Sequence, residues 1–270
     1  LGTVAGSRAR TRRAKEPGAA CLDSLWFQTC AELEIVVVDD GSTDATAEAL
    51  AAYLQGLGAD TASYASRYDA EANTLARVTH ERYPKAGRSL KVISHEKNQG
   101  LARALNNGFR AATGEYCTYL PSDDIAYPPM IEELAAALAR ENADFAYADM
   151  LIVGDEGRIL RRFSLPDYSF ERCFADWYLC GDAKLYRRGL HERFGYYDEA
   201  LLAHDHDLFL RFAMGGAAFT HVAKPLMAKR DHAGERAVDI HAPANWSRLI
   251  EESKALTRAA RDHLARTGRP

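Results

Sequence analysis

The stretch "EIVVVDDGSTDAT", Glu34 to Thr46, decides the fold. Its β-branched run, Ile35 to Val38, is flanked by turn-forming residues, and that pattern reads as an interior strand of a parallel sheet. The strand ends on two adjacent carboxylates, Asp39 and Asp40, and Gly41-Ser42-Thr43 supplies a turn. Ser42 or Thr43 is the expected N-cap of a helix starting near Asp44. The acids are therefore expected where a strand stops and a helix starts. In open α/β sheets that edge is where ligands bind.

The same grammar recurs on either side. "LKVIS", Leu90 to Ser94, reads as a second buried strand, "LARALNNGFRAA", Leu101 to Ala112, as a helix, and "EYCTYL", Glu115 to Leu120, as a third strand. That strand also runs into acids, Asp123 and Asp124. "PPMIEELAAALAREN" is an amphipathic helix with proline in its first turn. Upstream, residues 19 to 29 read as helical, and "GTVAG" is the candidate for a first strand. The basic stretch after it (Arg8, Arg10, Arg12, Arg13) reads either as a phosphate-facing arm or as a solvated one. Residues 58 to 88 are expected to hold an extra helix. The alternation predicts a parallel sheet with crossover helices. Beyond it "DFAYADMLIVGDEGRILRRF" reads as strand and hairpin, residues 205–214 as a short helix and "AAFTHVAKPLMAKRDH" as strand. "NWSRLIEESKALTRAARDHLART" reads as a C-terminal helix. The expected fold class is α/β, with a Rossmann-like, mostly parallel central sheet, flanking helices and a mixed second half.

The 270 residues are 47% apolar and 27% charged, ordinary for a globular chain, and the net charge of -4 argues against a general nucleic-acid binder. No run approaches the roughly 18–20 apolar residues of a membrane helix. No signal peptide is visible, although a chain beginning at Leu1 leaves a lost targeting or membrane segment open. Five cysteines without metal-site spacing read as free thiols in a reducing compartment. A cytoplasmic location is expected, with peripheral membrane association as the alternative.

Two strand ends carrying acids on one edge are electrostatically costly without a positive partner. A divalent cation bound to phosphates suits them, because Mg²⁺ and similar ions take one or two carboxylates plus substrate oxygens. Two ordinary solvated turns remain the other reading. In "HEKNQGLARALNNGFRAATGEY", Gly100 before the helix permits close backbone approach to a ligand. Asn106 has poor helix propensity, which points to a tertiary hydrogen-bonding task.

Taken in order, "VVDDGSTD", "NQGLARALNNG", "TGEY", "YLPSDDI" and "YYDEALLAHDHDLFLRF" resemble the motifs of family 2 glycosyltransferases, over roughly residues 19 to 232. The resemblance implies a GT-A fold and inverting transfer from a nucleotide-diphosphate sugar, expected to be a UDP-sugar, with Mn²⁺ or Mg²⁺. It implies that Asp39, Asp40, Asn98, Gly100, Asn106 and Asp123 bind the donor nucleotide. Asp123, Asp124 and His232 would hold the metal, and Asp205 would be the general base. A carboxylate suits that task, since the acceptor proton moves as attack proceeds; an N-cap role for Asp205 is compatible. Trp177, Tyr178 and Asp182 are acceptor-side candidates. A GT-A domain over 1–232 is expected, with a nucleotide-binding half to about 124 and an acceptor-binding half from 125. A helical extension over 233–270 follows.

The sequence departs from the family pattern at Pro121, which replaces the first acid of a DxD motif, and at the short first strand. His204 stands where the family often has glutamate. Two histidines at i and i+2 point apart on a helix, so His204 and His206 are not expected to share Zn²⁺. Acceptors within the resemblance include saccharides, lipid-linked carriers and proteins. A degenerate, non-catalytic sugar-nucleotide-binding domain and a nucleotidyltransferase are the alternatives.

Overall fold

The computed structural model of the protein describes residues 2–7, 17–57, 63–69, 71, 74–80, 86–154, 158–231 and 243–268. Strand β2 (Leu33–Asp39) is buried along its whole length. Val36 and Val38 enter one apolar cluster, and Ile35 and Val37 enter another on the opposite face. That is why the run does not alternate with polar residues: both faces of the strand are covered. Burying one such side chain contributes about 1.5–3 kcal/mol, so a charge at any of these four positions forfeits that and adds a desolvation penalty.

Helix α3 (Leu101–Ala111) lies over the first face through Ala104, Leu105 and Phe109. Helices α1 (Pro17–Trp26) and α4 (Met130–Arg140) cover the second through Leu25, Ile131 and Leu134. Around β2 the sheet takes the order β5 (Arg88–Ser94), β2, β1 (Gly2–Ser7), β6 (Tyr116–Pro121), β10 (Lys184–Arg187), β8 (Phe145–Val153), β11 (Phe219–Arg230) and β7 (Ile125–Ala126), with β9 (Ile159–Phe163) paired to β8. The first four strands are mutually parallel, and β10 runs antiparallel to both β6 and β8. The "GTVAG" segment is thus a central strand, between β2 and β6. The basic residues 8–13 lie outside the described residues.

Three expectations need correction. "LKVIS" forms β5, but β5 is the sheet's outermost strand and Val92 is 38% exposed, so it is not buried. The helix expected within 58–88 is replaced by an antiparallel hairpin, β3 (Ser63–Asp69) with β4 (Thr74–His80). "SYASRYD" and "TLARVTH" are rich in tyrosine, valine and threonine, which suit a pleated surface. Tyr68 stacks on Tyr127 at 6.3 Å between ring centroids, tying the hairpin to the body. Helix α2 (Thr46–Gly56) is not capped by Ser42 or Thr43; Asp44 Oδ1 accepts the Thr46 N–H at 3.0 Å.

The second half carries α5 (Gly189–Phe194), α6 (His204–Met214), a π-helical turn over Glu171–Asp176 and α7 (Pro243–Thr267). Helix α7 packs on α6 and on that turn, with Ala260 fully buried. No helix among the described residues is long and apolar enough to cross a membrane.

Candidate active site

The turn after β2 is built by its own acids. Asp39 Oδ1 accepts the Ser42 N–H at 3.0 Å. Gly41 sits at φ +71°, and a Cβ there would lie 2.4 Å from the backbone carbon of Lys97, so only glycine fits. Asp40 faces inward. Its two oxygens accept the N–H groups of Gln99 and Gly100, both at 2.8 Å, and one of them meets His95 Nδ1 at 2.8 Å. His95 Nε2 in turn lies 2.9 Å from Asn107 Nδ2. The Asp40 carboxylate thus locks segment 95–100 onto β2. Asn98 is exposed and uses Oδ1 on the Gly100 N–H at 3.1 Å, while Gly100, at φ +96°, ends the turn into α3.

Asn106 is likewise engaged within the fold. It is 1% exposed; its Nδ2 donates to the Tyr197 carbonyl and to Glu199 Oε1, each at 3.0 Å, and its Oδ1 accepts the Tyr197 N–H at 2.9 Å. This amide joins α3 to the loop before α6.

At the end of β6 the two acids differ. Asp123 is half-buried. Asp124 is 2% exposed; its Oδ1 accepts the Arg230 N–H at 3.0 Å, and its Oδ2 is buried without a hydrogen-bond partner. Burial pushes the Asp124 carboxyl well up, opposed by Lys229 and reinforced by Asp123 and Asp182. Asp182, just before β10, pairs with Lys229 on β11 and stands 3.8 Å from Lys184 Nζ. Burial pushes Asp182 up, but Lys229 and Lys184 outweigh it and hold the carboxyl down at about 2. Asp182 reciprocally raises Lys229, against the burial of that lysine.

Asp205 lies in the first turn of α6. It is not the N-cap: Ala203 holds that place, and Glu252 from α7 accepts the N–H groups of Leu202 and Ala203 at 2.7 and 2.9 Å. Asp205 Oδ2 accepts the Tyr119 hydroxyl at 2.5 Å and lies 3.7 Å from Lys184 Nζ. Asp205 Oδ1 is buried with no hydrogen-bond partner. Burial first, then Asp205, holds the Tyr119 hydroxyl well above the usual phenol range, so it remains a donor. His204 and His206 take different neighbours. His204 meets Tyr197 edge-on at 5.4 Å, and His206 stacks on Tyr178 at 5.4 Å. Tyr178 thus spends its ring on the protein interior, whereas Trp177 is 40% exposed.

Orphaned buried carboxylate oxygens are uncommon and point to a missing partner. Asp123 and Asp124 offer hard oxygen donors, and the orphaned Asp124 Oδ2 fits a divalent ion that takes its remaining oxygens from a substrate. Among the described residues no three acidic, histidine or cysteine side chains form a closed metal site. His232 lies outside the described residues.

Residues 15–64 and 74–195 match the family model described as "Glycosyl transferase family 2". The chain belongs to that family. A glycosyltransferase of PGL/p-HBAD biosynthesis from Mycobacterium bovis is 31% identical over 66% of this chain and 57% of its own length. The O-antigen biosynthesis protein RfbC of Myxococcus xanthus is 26% identical over 92% of this chain, which spans 17% of that protein. The chain therefore spans little more than half of the first relative and a small part of the second. Two solved structures share the fold: S. aureus TarS 1-349 in complex with UDP-GlcNAc, at TM-score 0.60 and 20% identity over 87% of this chain and 59% of that one, and the mannosyltransferase PcManGT from Pyrobaculum calidifontis in complex with GDP-Man and Mn²⁺, at TM-score 0.60 and 16% identity over 94% and 64%. The fold is the GT-A fold of a sugar-transferring enzyme family.

Within this member of family 2, sequence reasoning missed Lys184, Lys229 and Tyr119. A signal existed for Lys184. In "GDAKLYRR" the period of two puts Asp182, Lys184 and Tyr186 on one face, and that face is the acid-lined one.

Proposed function

We propose that the protein is an inverting glycosyltransferase that moves a sugar from a nucleotide-diphosphate donor to an acceptor hydroxyl, with Asp205 as general base. The observation that carries the reading is the Asp205 carboxylate. One oxygen is held by Tyr119 and faces Lys184, and the other is buried and unpartnered, on the acid-lined edge of a GT-A sheet. In the proposed step the acceptor hydroxyl gives its proton to the Asp205 carboxylate while its oxygen bonds to the anomeric carbon. The bond from that carbon to the diphosphate oxygen breaks on the opposite face, which inverts the centre. Bound at Asp123 and Asp124, Mn²⁺ or Mg²⁺ would supply positive charge for the departing diphosphate. Asp39 is a candidate for the nucleoside. Trp177, exposed and next in the chain to Tyr178, is the candidate for an acceptor sugar face.

A UDP-sugar is the proposed donor, in keeping with UDP-GlcNAc in the TarS complex; GDP-mannose in the PcManGT complex makes GDP the second candidate. A saccharide or lipid-linked glycan acceptor fits the biosynthetic names of the relatives. The catalytic unit is proposed to span residues 1–232 with α7 packed on it, working on the cytoplasmic side.

Calorimetric titration of UDP, GDP, CDP and TDP, with and without Mn²⁺, tests the reading. One nucleotide is expected to bind in a Mn²⁺-dependent manner and to be lost in Asp123→Ala. Asp205→Asn is expected to keep that binding and to lose about 10²–10⁴-fold in turnover, the span a placed base contributes. Absence of nucleotide binding, or full turnover in Asp205→Asn, overturns it.

A further inference from the structure

Lys184 is 0% exposed. An ammonium withdrawn from water persists only where opposite charge and polar contacts replace its hydration. Lys184 Nζ has those contacts: Asp205 Oδ2 at 3.7 Å, Asp182 Oδ1 at 3.8 Å and the Gly181 carbonyl, which accepts at 3.4 Å. The ring of Tyr119 presents its face at 4.2 Å from Nζ to centroid. Asp182 already has Lys229 as a partner, so Lys184 is not needed to balance it. Charges alternate along a chain, Lys229, Asp182, Lys184 and Asp205, that ends on the carboxylate with the unpartnered oxygen.

Stability alone does not account for this arrangement. A buried ion pair is often no more stabilising than an apolar residue of similar size, and the chain neighbours of Lys184, Ala183 and Leu185, are fully buried apolar side chains. What the lysine adds is orientation. Tyr119 and Lys184 approach the same Asp205 oxygen, from β6 and from β10, and two anchors on one oxygen fix the rotation of the carboxylate.

We propose, on the sugar-transfer reading above, that Lys184 is a positioning residue. Its buried ammonium holds Asp205 Oδ2 together with Tyr119 and so fixes the rotation of the carboxylate that takes the acceptor's proton.

Other groups also face Asp205. The charged ones besides Lys184 are Asp182 from the segment before β10 and Lys229 from β11. The neutral hydroxyls are those of Tyr119 on β6, Tyr186 on β10, and Tyr178 and Tyr197 in the loops before β10 and α6, all held protonated chiefly by burial. Within about 4 Å, Lys184 is the one cation on Asp205 among the described residues. Its removal is therefore expected to be felt there first.

The test is turnover of UDP-GlcNAc or GDP-mannose by the full chain with Mn²⁺, read as nucleoside diphosphate release. In Lys184→Met kcat is expected to fall by about tenfold or more, out of the roughly 10²–10⁴ a placed base contributes, with the KM for the donor unchanged. Lys184→Arg is expected to restore most of the wild-type kcat. A wild-type kcat in a Lys184→Met variant that unfolds like wild type overturns the assignment, as does a loss confined to the donor KM. If Lys184→Met does not fold, Lys184→Gln replaces it with the same expectations. A wild-type protein that binds no nucleotide overturns the transferase reading instead.

Discussion

Asn106→Ala separates a structural joint from a donor contact. The wild-type amide makes three hydrogen bonds at 2.9–3.0 Å, two with the Tyr197 backbone and one with Glu199, from a side chain that is 1% exposed. Each such bond contributes about 1 kcal/mol net, and a buried backbone group left unpaired costs about 1–3 kcal/mol. The Glu199 bond counts for least, because that carboxylate is one-third exposed and keeps Arg103 at 2.6 Å. The Tyr197 N–H and carbonyl therefore dominate, and the expected loss is roughly 2–4 kcal/mol. At about 2–4 °C per kcal/mol for a chain approaching this size, the unfolding midpoint should fall by roughly 5–15 °C. Urea unfolding followed by circular dichroism measures the loss, and calorimetry measures UDP and GDP binding to the folded variant. Near-normal affinity in a strongly destabilised variant is expected. Unchanged stability with nucleotide binding abolished would refute the joint and return Asn106 to the donor.

Three further outcomes are expected. Asp182 has its carboxyl depressed to about 2 by Lys229 and Lys184, so it binds fewer protons folded than unfolded; its stabilisation is complete above about pH 4 and is lost as pH falls toward 2. Urea midpoints across that window should fall less steeply in Asp182→Asn, and an unchanged slope would contradict the pairing. His206 is 3% exposed, has no hydrogen-bond partner on either ring nitrogen, and is depressed to about 4 by burial. It therefore stabilises above about pH 6.5 and loses this as pH falls toward 4; His206→Leu should be neutral or stabilising at pH 7 and should flatten the decline between those values, leaving the share of His191, depressed likewise. Gly41→Ala should cost at least about 2 kcal/mol, since the left-handed backbone disfavours a side chain by roughly 1–2 kcal/mol and the new Cβ would strike Lys97; a circular-dichroism melt matching wild type would refute it.

The covered strand β2, the helices α3, α4 and α6 and both acid-bearing strand ends were legible because each is a local pattern. β-branched runs, 3.6-residue periodicity and turn chemistry act over a few residues. The hairpin β3–β4 was not, since short tyrosine-bearing segments become strands by pairing with each other, and composition alone fits a helix as well. In the site, residue types were legible and their directions were not. Asp39 and Asp40 look alike in sequence, yet Asp40 is claimed by two backbone N–H groups some sixty positions on, and Asn106 by a loop some ninety positions on. The period of two hints at the face of Lys184, but its burial depends on Asp205, which α6 brings beside Asp182 from the segment before β10.

The wiring of Asp40 has an electrostatic consequence. The N-terminus of a helix after a parallel strand carries partial positive charge and open N–H groups, and it is a ready berth for phosphate. At α3 the chain has set its own carboxylate just ahead of that positive end, on the N–H groups of Gln99 and Gly100. Its negative charge offsets part of the helix's pull on an incoming diphosphate. Counter-charge from elsewhere along the edge, a bound cation or basic side chains, then matters more. Under the proposed reaction, dependence on an imported positive charge is thus a property of how β2 and α3 are joined, as much as of the acids at the end of β6.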